Sequence, residues 1–270
     1  MARIQVANGR QIAYDDVGDG PPLLMFVGFM ACRQMWFRQA PVLSRHLRLI
    51  TLDNRDAGES GPETAPYTVT DMADDGVRLL DALGIERAHV LGHSMGGFIA
   101  LQFALNHPER VDHLVLVGTS PGRRRDPGTP PTPPARDSWI EDPVERNRER
   151  YARIAGSGYF AAHPDELEAV AEANRGNRLT YEGSVRQSFA TQSSHDVRDR
   201  LGEIAAPTLV IHGEVDPLIG IDSGRLLAER IPDARLLVMP GVGHLPHLER
   251  AEGFNGAVID FLVTGSGRAG

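Results

Sequence analysis

The sequence predicts an α/β fold: a mostly parallel central sheet flanked by helices and interrupted once by an inserted helical cap. Three observations carry that expectation. Short apolar runs alternate with longer amphipathic segments, the rhythm of successive βα units. The alternation stops once, after Ser120, and resumes at Pro207, with helical periodicity and no strand-like runs between. With 270 residues, 41% of them hydrophobic and 24% charged, the chain can bury one large core, which excludes a disordered or fibrous protein.

Leu23 to Val27 and Leu47 to Leu52 read as buried strands. Between Thr68 and Leu83 the apolar residues Val69, Met72, Val77, Leu80 and Leu83 recur at helical spacing. Thr68 with Asp71 suits a capping box there, and Gly84 supplies the stop. A strand at Ala88 to Leu91, a helix from Met95 to Asn106 and a strand at His113 to Val117 follow, so β and α alternate throughout. Pro121 to Pro134 holds too much Pro and Gly for regular structure and reads as an exposed connection. Helices are expected near Pro143 to Ile154, Pro164 to Asn174 and Thr180 to Thr191, then strands at Thr208 to His212 and Arg235 to Met239. The layout is therefore a core in residues 1–120, a cap in 121–202 and the rest of the core in 203–270, ending in a loose tail from Gly265.

Composition narrows the chemistry. All 28 basic residues are Arg, which excludes a Schiff-base lysine, a P-loop lysine and a lysine general base. Thirty-six acidic residues give a formal charge of −8, which argues against nucleic acid as a partner. The single cysteine, Cys32, allows no internal disulfide and reads as a buried thiol. The N-terminus lacks a signal-peptide apolar stretch, and no apolar run approaches the roughly 18 residues of a membrane span. A soluble cytoplasmic protein with no membrane partner is the expectation. Self-association into a homo-oligomer is left open.

The most informative stretch is Gly92-His93-Ser94-Met95-Gly96, a Gly-x-Ser-x-Gly pentapeptide between a predicted strand and a predicted helix. So sharp a strand-to-helix turn forces Ser94 into a strained conformation, and the two glycines let neighbouring chain approach. The helix aims its free N–H groups and positive dipole end at the same spot, which suits a developing negative charge. Alone, such a pentapeptide is also an ordinary glycine-rich turn. A serine needs a base and an orienting acid, and His244 and Asp216 both lie just past predicted strands, in the chain order Ser, Asp, His. Separately, Asp216 reads as a turn residue before Pro217 and His244 as a loop histidine; jointly they read as a catalytic triad. Glu214 is the competing acid, two residues earlier.

Acyl transfer also needs oxyanion donors. The Met95 N–H is one, and the Phe29 N–H in Val27-Gly28-Phe29-Met30 is the best second, with Gly28 permitting the turn. Gly28, Met30 and His93 are the candidate pocket residues. No metal is expected: Pro246 blocks a regular helix across His244-Leu245-Pro246-His247, and no acid completes a zinc pattern. No cofactor is implied either. The Arg123-Arg124-Arg125 run reads as a solvated loop. Glu145 with Arg148 and Glu149 with Arg153 read as ion pairs along an exposed helix.

These residues resemble the α/β-hydrolase fold superfamily, in particular its capped members such as carboxylesterases, enol-lactonases, methylesterases and carbon–carbon bond hydrolases. The matching segments are Leu24 to Phe29, Asp53 to Ser60, Gly92 to Gly97, His107 to Val111, Pro207 to Asp216 and Gly241 to His244. The resemblance implies triad roles for Ser94, Asp216 and His244 and oxyanion roles for Phe29 and Met95. Two positions depart from it: Val27 stands where that family usually has histidine, and Asp56 where it commonly has glycine. A serine at the elbow sets aside the dehalogenases and epoxide hydrolases that use aspartate there. The expected activity is hydrolysis of an ester or lactone of a small apolar molecule. Carbon–carbon bond cleavage or peracid formation by the same triad is the enzymatic alternative, and a ligand-binding protein on a hydrolase scaffold is the non-enzymatic one.

Overall fold

The computed structural model describes residues 2–5, 9–122 and 130–264; the Arg123 to Arg125 run and the tail from Gly265 lie outside the described residues. Eight strands form one sheet: β1 (Ala2–Gln5), β2 (Gln11–Val17), β3 (Pro22–Phe26), β4 (Arg48–Leu52), β5 (Ala88–His93), β6 (Val111–Val117), β7 (Thr208–Gly213) and β8 (Ala234–Met239). Their spatial order is β1-β2-β4-β3-β5-β6-β7-β8. From β4 to β8 every pairing is parallel. The first two strands are not part of a βα rhythm: β1 and β2 pair antiparallel, and β2 pairs antiparallel with β4. That corrects the reading of unbroken alternation. Antiparallel strands at one end of the sheet need no crossover helix, and Gln11–Val17 carries two adjacent aspartates that weaken its apolar signal.

The helices are α1 (Ala40–Leu43), α2 (Val69–Ala82), α3 (Met95–Asn106), α4 (Pro143–Ile154), α5 (Tyr159–Ala162), α6 (Pro164–Ala173), α7 (Tyr181–Ser194), α8 (Ile221–Arg230), α9 (Pro246–Glu249) and α10 (Ala251–Ile259). Thr68 caps α2 in the expected box: its hydroxyl accepts from Asp71 N–H at 3.1 Å, and Asp71 accepts from Thr68 N–H at 2.8 Å. Alternation along β3 divides the core. Leu24 and Phe26 join the α2 and α3 side, whereas Leu23 and Met25 join the α10 side with Phe254 and Val258. With both faces covered, β5 is buried at all six positions, so its carboxyl end opens onto one rim. Among the described residues no helix is long and apolar enough to cross a membrane.

Helices α4 to α7 lie between β6 and β7. Tyr151, Ala155, Phe160 and Val170 of this insert share one apolar cluster with Leu245 and Leu248 of the core. The approach is close enough that a Cβ on Gly243 would stand 2.2 Å from the Gly156 nitrogen. Pro246 does not prevent a helix after His244. It occupies the first turn of α9, where a missing N–H costs nothing. Arg148 bonds Glu168 of α6 at 2.7 and 2.8 Å rather than Glu145 on its own helix, while Arg153 does lie 3.9 Å from Glu149. Packing two helices side by side offered the planar guanidinium a bidentate partner.

Candidate active site

Ser94 is the N-cap of α3, with φ 55° and ψ −119°, a sparsely populated positive-φ conformation that costs a non-glycine residue about 1–3 kcal/mol. Surrounding bonds hold it there. Its N–H donates to Val117 O at 2.9 Å, and its carbonyl accepts from the Thr119 hydroxyl at 2.8 Å and from Gly97 N–H at 2.8 Å. A Cβ on Gly92 would fall 2.1 Å from Gly96 O, and one on Gly96 2.2 Å from Phe26 O. Both glycines of the pentapeptide are therefore required by backbone contact.

His244 and Asp216 meet at this rim. Asp216 Oδ2 accepts from His244 Nδ1 at 2.7 Å, while Asp216 Oδ1 accepts from the N–H groups of Leu218 and Ile219 at 2.8 Å each. His212 Nε2 stands 3.5 Å from the same Oδ2. The competing acid Glu214 is spent elsewhere, accepting from Gly241 N–H at 3.0 Å. The remaining His244 nitrogen, Nε2, is buried and bonds to no described residue. Gly118 ties the pair to the elbow: it directly follows Val117, which bonds Ser94, and its Cβ would lie 3.5 Å from His244 Nδ1 and 3.6 Å from Asp216 Oδ2.

Three imidazoles, of His93, His244 and His247, pack as tilted rings beside Ser94. His93 lies 4.9 Å from the His244 ring and 4.6 Å from the His247 ring. Burial, reinforced by its histidine neighbours, drives the His93 pKa well down, and burial with His244 nearby takes His247 to about 3. His93 was expected to line a pocket. It is 2% exposed, and its Nε2 bonds the His244 carbonyl at 2.9 Å, so it supports the His244 loop.

The Val27 to Met30 loop curls over Ser94, with the Gly28 Cβ position 3.4 Å from Ser94 Cβ. No described residue accepts a hydrogen bond from Phe29 N–H or Met95 N–H, and the side chains of Phe29 and Met30 are partly exposed. Met30 has φ 60° and is held from both sides by the insert: its N–H donates to Gln187 Oε1 at 3.1 Å, and its carbonyl accepts from Asn177 Nδ2 at 2.9 Å. Asn54 Nδ2 donates to Val27 O at 2.9 Å. These three amides restrain the loop around Val27, where the resembled family usually has histidine. Asn54 lay inside a recognised motif, but nothing in the sequence marked Asn177 and Gln187.

Asp56 also contacts the insert. Its φ of 66° is one that Asp tolerates better than most residues. Its carboxylate takes Arg186 of α7 at 2.9 and 2.6 Å, the Tyr67 hydroxyl at 2.9 Å and the Glu63 N–H at 2.9 Å. Cys32, beyond the same loop, donates to Asn174 Oδ1 at 3.4 Å, and burial with Asp53 nearby pushes its thiol up to about 12.

A family model described as the α/β hydrolase fold matches residues 21–251, and the chain belongs to that family. It is a hydrolase, which removes the ligand-binding alternative. Among its relatives is RutD of Caulobacter sp. (strain K31), named as a carbamate hydrolase, 33% identical over 92% of this chain and 95% of that protein. The 2-hydroxy-6-oxononadienedioate/2-hydroxy-6-oxononatrienedioate hydrolase of Paraburkholderia xenovorans (strain LB400) is 32% identical over 97% of this chain and 94% of its own length. The solved enol-lactonase of Burkholderia xenovorans LB400 superposes with TM-score 0.81 at 27% identity, covering 97% of this chain and 99% of the other.

Proposed function

We propose that this chain is a serine hydrolase that cleaves a carboxylic ester or lactone of a small, largely apolar molecule through an acyl-enzyme on Ser94. The observation that carries the reading is the 2.7 Å His244–Asp216 pair, whose free Nε2 stands at the same rim as the strained Ser94 elbow. With Asp216 accepting the Nδ1 proton, the imidazole lone pair lies on Nε2. That nitrogen takes the Ser94 hydroxyl proton as Oγ attacks the carbonyl. The N–H groups of Phe29 and Met95 receive the oxyanion, for which no described residue competes. His244 returns the proton to the leaving alkoxide. It then activates water to release the acid, with the imidazolium stabilised by Asp216 throughout.

In this reading the insert acts as a cap, and Phe29 and Met30 line the pocket below it. Cleavage of a carbon–carbon bond by the same groups is the second reading, favoured by the 32% identity to the Paraburkholderia enzyme. Hydrolysis of short p-nitrophenyl esters by wild type and Ser94→Ala tests the first reading, with loss of all but a residual rate expected in the variant. Equal rates would overturn it. A vinylogous diketone hydrolysed much faster than any ester would favour the second.

A further inference from the structure

Helix α4 carries four arginines, and two of them have carboxylate partners. Arg148 is held by Glu168 and Arg153 lies near Glu149, whereas Arg146 has only the Ile140 and Glu141 carbonyls for its Nη1 and a packing contact 4.5 Å over Trp139, with its Nε and Nη2 buried and unpartnered. Arg150 has no anion either, and it is the one that lies toward the His244 loop. Its Nη1 is buried without a hydrogen-bond partner, and among the described residues no carboxylate pairs with it. Tyr151, whose ring lies 5.3 Å from the guanidinium carbon, takes a side-chain hydrogen bond from it, so the guanidinium is partly satisfied and Nη1 is the nitrogen left over. Burying a guanidinium without an anion is costly, and burial drives the Arg150 pKa down. A partly unpartnered buried cation beside a candidate catalytic histidine is a place where an anion arriving from solution would be stabilised.

The position of Arg150 indicates where that partner would bind. Ile154, one turn further along α4, accepts the His244 N–H at 2.8 Å, so this helix sits directly against the His244 loop. Tyr151 faces Asn174 at 3.4 Å, and Asn174 in turn holds Cys32, just beyond the Phe29–Met30 loop. The charge of Arg150 is felt at His93, the residue preceding Ser94. Arg186, another cation of the insert, is already occupied by Asp56.

We infer that Arg150 is a specificity determinant that binds a carboxylate on the substrate, so that the preferred ester or lactone has an apolar body ending in a carboxylate. The inference rests on the function proposed above. A planar guanidinium receives a carboxylate through two parallel hydrogen bonds, and in a desolvated site such a charge-assisted pair discriminates strongly against neutral analogues.

Two measurements test it, one of them independent of turnover. The first compares mono-p-nitrophenyl glutarate with p-nitrophenyl butyrate. The wild type should prefer the anionic ester, and Arg150→Met should lower the anionic-to-neutral ratio of kcat/KM by about tenfold to a hundredfold. Arg150→Lys should recover part of that ratio, and a ratio unmoved in Arg150→Met overturns the inference. The second titrates glutarate into Ser94→Ala by calorimetry. Binding should weaken at least about tenfold when Arg150→Met is added, and glutaramide should bind at least about tenfold more weakly than glutarate; equal affinity for the two overturns the inference. Unchanged glutarate affinity overturns the inference whatever the esterase assay shows. Arg150-dependent glutarate binding in a chain that hydrolyses no ester would instead remove the proposed function and keep the anion site. Arg150→Met should also melt a few degrees higher than wild type, because it removes an unpaired buried charge; a lower melting temperature with an unmoved ratio would mark Arg150 as merely structural.

Discussion

Replacing Asp56 by glycine, the residue common at this position in the resembled family, sets two effects against each other. Glycine relieves the left-handed backbone of Asp56, a gain of about 1 kcal/mol. Against this, Arg186 loses a bidentate carboxylate whose side chain is only 1% exposed, and the Tyr67 hydroxyl and Glu63 N–H lose their acceptor. Breaking a fully buried pair costs about 3–5 kcal/mol. Arg186 is 21% exposed and can rehydrate, so about 2–3 kcal/mol is the better figure for the pair, with about 1–2 kcal/mol more for Tyr67. The loss wins, and Asp56→Gly should be destabilised by about 3 kcal/mol, a fall in Tm of roughly 6–10 °C by calorimetry. Asp56→Asn keeps an oxygen for Tyr67 and the tolerance of positive φ, and should fall about half as far. Because Gln187 follows Arg186 and holds Met30, p-nitrophenyl butyrate turnover should drop as well. An Asp56→Gly protein as stable as wild type would refute the reasoning.

Gln187→Met removes the acceptor of Met30 N–H and should lower kcat on p-nitrophenyl esters by about tenfold with a smaller change in KM; a pure KM effect would contradict a role in shaping the oxyanion loop. Gly96→Ala places a Cβ 2.2 Å from the Phe26 carbonyl, which cannot move aside as a side chain can, so a loss of about 3 kcal/mol is expected and a Tm within two degrees of wild type would count against it. Burial lowers the pKa values of His89 and His195 to about 4 and that of His247 to about 3, so each adds stability that is full above pH about 6.5 and declines as pH falls toward 4. At pH 5 each should have withdrawn about 2 kcal/mol, and a urea midpoint unchanged between pH 7 and 5 would show that these imidazoles are not held neutral. Cys32, pushed up to about 12, should react with a thiol reagent in native protein only at the rate of local opening; rapid stoichiometric labelling would disprove its burial.

The sequence by itself determined the elements with strong local signals. Strands β3 to β8 appear as apolar runs because a parallel sheet covered on both faces leaves no polar alternation, and α3 and α4 begin and end where the sequence placed them. The Gly-x-Ser-x-Gly turn was legible because its glycines answer to backbone contacts only a few residues or one strand away. Tertiary structure decided what depends on residues far apart in the chain. The choice of Asp216 over Glu214 followed from the loops after β7 and β8, which bring one carboxylate to His244 and turn the other toward Gly241. The amides that restrain Met30 lie 147 and 157 positions away from it, and Arg150 is one arginine among 28 until packing leaves its Nη1 buried with no partner among the described residues. Periodicity records what a residue does within its own element; contacts across an insert leave no period, because nothing local in the chain fixes how residues more than a hundred positions apart meet.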